Sequence, residues 1–197
     1  MITIEKKESA KERILRVASD LFYKDGVRAV GIDRIIEESG VAKASFYRNY
    51  PTKDSLIVAY LELRHDRRTD HVEAVKLRYP NSPKEQLYSL LDEALERMTN
   101  PEFRGCPFMN AVVEFPDLDH PGHQCAVESR HRIWDSIEDI AKEAGARSPT
   151  ELVSQLRMLI DGATMNAYID KASFRSEYFI NAAKQLIEDQ CSVHSPT

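Results

Sequence analysis

Between Ala42 and Asn49 the polar side chains are Lys43, Ser45, Arg48 and Asn49, with Tyr47 among them and no acid. That set suits nucleic acid, because Lys and Arg meet phosphates and base edges whereas a carboxylate would be repelled. Arg48 and Asn49 are the base readers by chemistry, guanidinium for guanine and amide for adenine. Tyr47 can reach a phosphate through its hydroxyl, and Lys53 and Arg28 add flanking cations. Phe46 and Tyr50, four residues apart, share a helical face and can dock the segment onto its neighbours.

Two other clusters invite chemistry. Arg104-Gly105-Cys106-Pro107-Phe108 sets a thiol at a helix start with an arginine two residues away, and both features favour thiolate. The plainer alternative is a small buried hydrophobe. Asp117, Asp119, His120, His123 and Cys125 crowd metal-ligand types into nine residues. Their spacing matches no zinc pattern, and Pro121-Gly122 reads equally as a turn before a helix, so neither metal nor cofactor is assigned. No GxSxG, HExxH, GxxxxGK[ST] or GxGxxG motif occurs. An all-helical enzyme would need an unseen constellation such as Cys106 with His120 or His131.

The basic segment needs elements that hold it. Upstream, Ile32, Ile35 and Ile36 form an apolar stripe with Asp33, Arg34, Glu37 and Glu38 turned away, and Gly40 ends that helix in the left-handed conformation with Val41 folding back. Pro51 stops the basic helix, and Thr52 can cap the next one. Ser9 with Glu12 forms a capping box that opens a helix carrying Ile14, Leu15, Ala18, Leu21 and Phe22, which ends at Gly26 and closes a three-helix head. Helix, glycine turn, short basic helix and proline stop make a helix-turn-helix.

The order Gly26, Ile35, Gly40-Val41, Lys43, Ser45, Phe46-Tyr47, Tyr50, Lys53, Leu56 resembles the N-terminal signature of the TetR/AcrR family of bacterial transcriptional regulators over roughly residues 9 to 60. Gly31 and Ala42 stand where that family usually has Ser or Thr caps, and Ala44 where Gly is usual. The resemblance implies contacts to double-stranded operator DNA through Arg28, Lys43, Ala44, Ser45, Tyr47, Arg48, Asn49 and Lys53. It also implies a homodimer built on the last two long helices, and a repressor released by a small-molecule inducer bound in the body. Phe103, Cys106, Phe108, Met109, Val112, Phe115, Trp134, Met158, Met165 and Tyr168 are the candidate pocket residues. The Gly105-Cys106 pair resembles a motif in a branch of the family in which some members sense electrophiles or oxidants.

The rest of the chain reads as helices without strands, so the fold class is all-α: a helix-turn-helix head over 1–55, a ligand-binding and dimerisation body over 56–192, and a tail at 193–197. The basic run Arg64 to Arg68 reads as a solvated face of the connecting helix. Ser82-Pro83-Lys84-Glu85 and Ser148-Pro149-Thr150-Glu151 read as repeated capping boxes, and Ser173 opens the last helix. The apolar share of 42% and charged share of 30% are those of a globular protein. Residues 1–68 carry 14 Lys and Arg against 11 Asp and Glu, and the remainder 13 against 21, so a basic head sits on an acidic body despite the net charge of -5. No apolar run approaches the roughly 20 residues of a membrane helix, which implies a cytoplasmic protein without membrane contact. Cys106, Cys125 and Cys191 are too few and too irregular for a disulfide framework.

Overall fold

A computed structural model describes residues 8–192; the tail expected at 193–197 lies outside them. Among the described residues there are nine helices and no strand: α1 (Ala10–Asp25), α2 (Ile32–Ser39), α3 (Lys43–Asn49), α4 (Lys53–Arg78), α5 (Pro83–Thr99), α6 (Pro107–Glu114), α7 (Pro121–Glu143), α8 (Pro149–Ile169) and α9 (Ser176–Cys191). The expected all-α architecture is the one observed.

Local chemistry sets the boundaries of the head. Ser9 Oγ accepts the Glu12 N–H at 3.2 Å while Glu12 Oε2 accepts the Ser9 N–H at 2.7 Å, which satisfies two backbone donors that no helical carbonyl can reach. Gly40 has φ 62° and its N–H bonds Ile36 O and Glu37 O, a left-handed closure that costs a residue with a side chain about 1 kcal/mol or more. Thr52 and Ser55 cap reciprocally: the Ser55 N–H donates to Thr52 Oγ1 at 3.0 Å and the Thr52 N–H to Ser55 Oγ at 3.3 Å.

Packing divides the chain into two compact units. One holds the residues up to Arg64 together with Pro107–Val127, the other His65–Cys106 together with Glu128 onward. This partition departs from the linear one at 55/56, because α6 and the first turns of α7 join the head. In the first unit α1 packs on α2 and α3. Ile14, Ala18, Phe22, Val30, Ile35, Phe46, Leu56 and Tyr60 are buried there, and the Phe22 and Tyr60 rings meet edge to face at 5.6 Å. In the second unit α5, α8 and α9 pack mutually, with Leu87, Leu91, Leu152, Leu156, Ala183 and Ile187 buried.

Four sequence expectations are corrected. Ser82 and Ser148 make no side-chain cap bond; their ψ values of 68° and 83° turn the hydroxyl away from the helix, unlike the 160° of Ser9. Other bonds hold both residues: the Ser82 N–H closes a local turn on Tyr79 O at 3.2 Å, and the Ser148 N–H makes a tertiary bond to Gln190 Oε1 at 3.1 Å. The last helix begins at Ser176 because the Ser173 N–H is taken by Asp170 Oδ1 at 3.2 Å in a preceding turn. The basic run is only partly solvated: His65 is buried, and the Arg64 guanidinium lies 4.7 Å from the Tyr23 ring centroid and donates to Ser19 O at 3.3 Å.

Candidate nucleic-acid interface

The α3 helix is sorted into two faces by burial. Phe46 is fully buried and Tyr50, just past the helix end, is 3% exposed, so the pair anchors the helix from beneath. Burying one such ring contributes about 1.5 to 3 kcal/mol. The Tyr50 hydroxyl donates to Lys11 O at 3.5 Å, which ties the end of α3 to α1, and the Phe46 ring meets Tyr47 edge-on at 5.4 Å. Lys43, Ala44, Tyr47 and Arg48 then face outward at helical spacing, with Tyr47 41% exposed. No side chain caps α3, since Ala42 has the extended backbone of a cap residue but no oxygen to offer. Within the first turn the Ser45 N–H closes instead on Ala42 O at 2.8 Å.

The expected contact residues are not equivalent. Arg48 is exposed and has no ion pair or hydrogen bond among the described residues. Asn49 instead turns along its own helix, its Nδ2 donating to Ser45 O at 2.7 Å, and both residues are only half-exposed. Lys43 is paired with Asp33 at 3.2 Å, a carboxylate that α2 brings beside a helix with no acid of its own. Both partners are largely solvent-exposed, so the pair is weak and exchangeable. Lys53 is half-buried; burial pushes its ammonium pKa down, and the Glu114 and Asp54 carboxylates pull it back up.

Arg28 is held by its backbone and by its side chain. Its N–H donates to Glu114 Oε2 at 2.6 Å, beside the Val27 N–H on Glu114 Oε1 at 3.1 Å, and its guanidinium lies 5.8 Å from the Phe115 centroid. Glu114, at the end of α6, thus clasps the turn between α1 and α2. Sequence reasoning missed it, since the partners lie 87 and 86 residues away. The other surprise is Arg34, which ties α2 to the end of α1 through Asp25 and to Glu38, each at 2.8 Å.

Known proteins share this arrangement. Residues 14–60 match the family model described as bacterial regulatory proteins, tetR family, and residues 83–183 match the model of the tetracyclin repressor-like C-terminal domain. The chain belongs to the TetR family. A TetR-family transcriptional regulator from Streptomyces coelicolor superposes with a TM-score of 0.86 at 31% identity, over 93% of this chain and 96% of that one. A TetR-type regulator structure from Streptomyces avermitilis gives 0.80 at 27%, over 92% and 98%. The HTH-type transcriptional regulator YjdC of Escherichia coli is 20% identical over 91% of this chain and 92% of its own length. This TetR-family member is accordingly a helix-turn-helix, DNA-binding transcriptional regulator, and none of its described helices is long and apolar enough to cross a membrane.

The candidate pocket residues of the TetR-family chain are drawn from both units. Phe108, Met109 and Val112 lie on α6 in the first unit, with Phe108 buried and the other two half-buried. Phe103, Cys106 and Trp134 lie half-buried in the second. Met158, Met165 and Tyr168 lie on α8 in the second unit. They are 67%, 42% and 49% exposed, on an outer face of α8 that also carries the exposed Ile169.

The histidine-rich turn has structural employment. His120 stacks on Phe115 with centroids 4.0 Å apart, its Nδ1 accepts the Gly122 N–H at 3.0 Å, and its Nε2 faces Asp54 Oδ1 at 3.6 Å. His123 Nδ1 donates to Phe115 O at 2.7 Å. Among the described residues no three His, Cys, Asp or Glu side chains are arranged to hold a metal ion.

Proposed function

We propose that this TetR-family regulator is a cytoplasmic repressor that binds a palindromic operator as a homodimer and is released by a small-molecule inducer. The observation that carries the reading is the outward face of α3, where Lys43, Ala44, Tyr47 and Arg48 stand on the buried Phe46 and Tyr50 anchor. Arg48 reads a base and Lys43 and Tyr47 take phosphates, with Ser45 and Asn49 at the margin of the contact. Lys53 and Arg28 supply flanking charge.

The apolar face of α8 supports the dimer. Met158, Met165, Tyr168 and Ile169, with Tyr178 on α9, would be an aggregation hazard on a monomer and suit an isologous helix-on-helix interface. Two copies of α3 one DNA turn apart match a palindrome. The inducer acts within reach of Phe103, Cys106 and Trp134, and the Glu114 clasp on the Val27 and Arg28 amides is the means by which movement of α6 disturbs the reading head. Sedimentation of the wild type and Met165→Glu tests the assembly. The wild type should run as a dimer and bind operator DNA as two protomers, whereas the variant should run as a folded monomer with at least tenfold weaker operator binding; a dimeric, fully binding variant overturns the reading.

A second reading, thiol sensing through Cys106, is favoured by one contact: the Arg130 guanidinium donates from Nη1 to Cys106 Sγ at 3.8 Å. Cys106→Ser should abolish any release of DNA by peroxide or N-ethylmaleimide, and an unaltered response removes Cys106 as the sensor.

A further inference from the structure

His120 stands where α7 begins, and it closes the end of that helix with a ring that can take up a proton. Its carbonyl accepts the Gln124 N–H at 3.1 Å, the first bond of the helix, and its Nδ1 accepts the Gly122 N–H at 3.0 Å. That is the work of an N-cap, which Asn, Asp, Ser or Thr commonly does with an oxygen that keeps its lone pairs near neutrality. An imidazole nitrogen accepts only while it is unprotonated. The bond to Gly122 therefore assigns the neutral ring, with its proton on Nε2, which faces Asp54 Oδ1 of α4 at 3.6 Å.

The ring is fastened on its other sides as well. It stacks on Phe115 with centroids 4.0 Å and planes 4° apart, and its side chain is 20% exposed. A Cβ on Gly122 would lie 3.0 Å from Ile57 Cγ2, so the capped turn sits directly on α4. Phe115 in turn carries the Arg28 guanidinium 5.8 Å from its centroid, and Glu114 beside it holds the Val27 and Arg28 amides. All of these residues belong to the first unit. Asp54 is the charged group that the ring meets directly. Lys53 precedes it, Glu114 and Arg28 lie around Phe115, and Asp117 and Asp119 occupy the turn before α7. His123 follows on α7, where Nδ1 donates to Phe115 O at 2.7 Å and keeps that bond if its other nitrogen gains a proton.

We propose that His120 is a positioning residue for the DNA-reading head, and that its protonation loosens the head and weakens operator binding. A proton taken from solvent onto Nδ1 turns the acceptor into a donor that faces the Gly122 N–H, and the bond is lost. The new charge also sits at the positive end of the α7 dipole, while Asp54 offers the imidazolium a partner on the α4 side. Both effects draw the ring away from Gly122 and off its stack on Phe115, and Phe115 then no longer seats Arg28. The proposal rests on the preceding reading only where it takes Arg28 to a phosphate.

The test compares the full chain with His120→Asn between about pH 8 and about pH 5.5, the interval in which histidine takes up a proton. Asparagine supplies a cap oxygen that does not titrate. On acidification the thermal midpoint of the wild type should fall about 2 °C or more further than that of His120→Asn. Its affinity for the palindrome it selects from random DNA, read by fluorescence anisotropy at one ionic strength, should fall about threefold or more further. Asp54→Asn removes the carboxylate that favours the charged ring and should shrink both differences. Parallel pH profiles in the wild type and His120→Asn overturn the proposal, as does a wild type that gains affinity relative to His120→Asn on acidification. A midpoint that follows the ring while operator affinity does not upholds the titrating cap and refutes its hold on the head. Undiminished operator affinity in Arg28→Ala refutes the phosphate role of Arg28, a failure of the preceding reading that leaves the pH-dependent midpoint in place.

Discussion

Replacing Glu114 by Ala should destabilise the reading head measurably, although the residue lies far from it in sequence. Its carboxylate accepts the Val27 N–H at 3.1 Å and the Arg28 N–H at 2.6 Å. The two losses differ. Val27 is only 3% exposed and its amide is withdrawn from water, so its loss costs the desolvation penalty of an unpaired donor, about 1 to 3 kcal/mol. Arg28 is exposed and its amide can return to water, so only the net strength of one charge-assisted bond is lost there, about 1 kcal/mol. The total of about 2 to 4 kcal/mol corresponds to a fall of about 5 to 12 °C in the thermal midpoint for a chain of this size. Glu114→Gln retains one acceptor oxygen but sets an amide N–H against a backbone N–H, and should fall between the two. Circular dichroism melts of the three proteins make the measurement. An Ala variant within 1 °C of the wild type would refute the clasp.

Arg48→Ala should lose about 1 to 3 kcal/mol of operator binding concentrated at one base pair, whereas Lys53→Ala should weaken all sequences alike and flatten the salt dependence by about one unit of slope; anisotropy on operators substituted base by base reads both, and a reversed pattern contradicts the assignment. Asp33→Asn frees Lys43 from its 3.2 Å partner and removes a negative charge from the DNA-facing side, so affinity at low salt should rise about two- to fivefold and the gain should shrink as salt is added. Unchanged or weaker binding would show that Lys43 does not face the phosphates. Gly122→Ala would put a Cβ 3.0 Å from Ile57 Cγ2 and 3.2 Å from His120 Nδ1. It should cost about 1 to 3 kcal/mol in chemical denaturation, and a neutral substitution would argue against that close approach.

The head was legible because its signals are local. Ser9 and Glu12 meet across one turn, Gly40 closes α2 on its own last carbonyls, and Phe46 and Tyr50 share a face by spacing alone. What escaped sequence reasoning is tertiary. Ser148 carries the letters of a capping box, yet its N–H goes to Gln190 Oε1 from α9, and a motif cannot show which distant oxygen will take an N–H. Asn49 has the right chemistry for adenine, but burial on one side turns its amide back onto Ser45 O. Helical spacing places Met158 and Met165 on one stripe of α8, and their 67% and 42% exposure is a property that spacing alone does not give. Arg64 was read as solvated among charged neighbours, yet its guanidinium turns back onto Ser19 O and the Tyr23 ring of α1, an approach of two helices that no linear pattern records.

The central claim is that α3 reads a specific DNA site as part of a ligand-released repressor, and the most direct measurement is anisotropy of the full chain on DNA flanking its own gene against random DNA across a salt series. Discrete binding of two protomers to a palindrome, at least a thousandfold tighter than to random sequence at physiological salt, is the result this account requires. Equal, salt-erased binding to that site and to random DNA, in both wild type and Arg48→Ala, would contradict it.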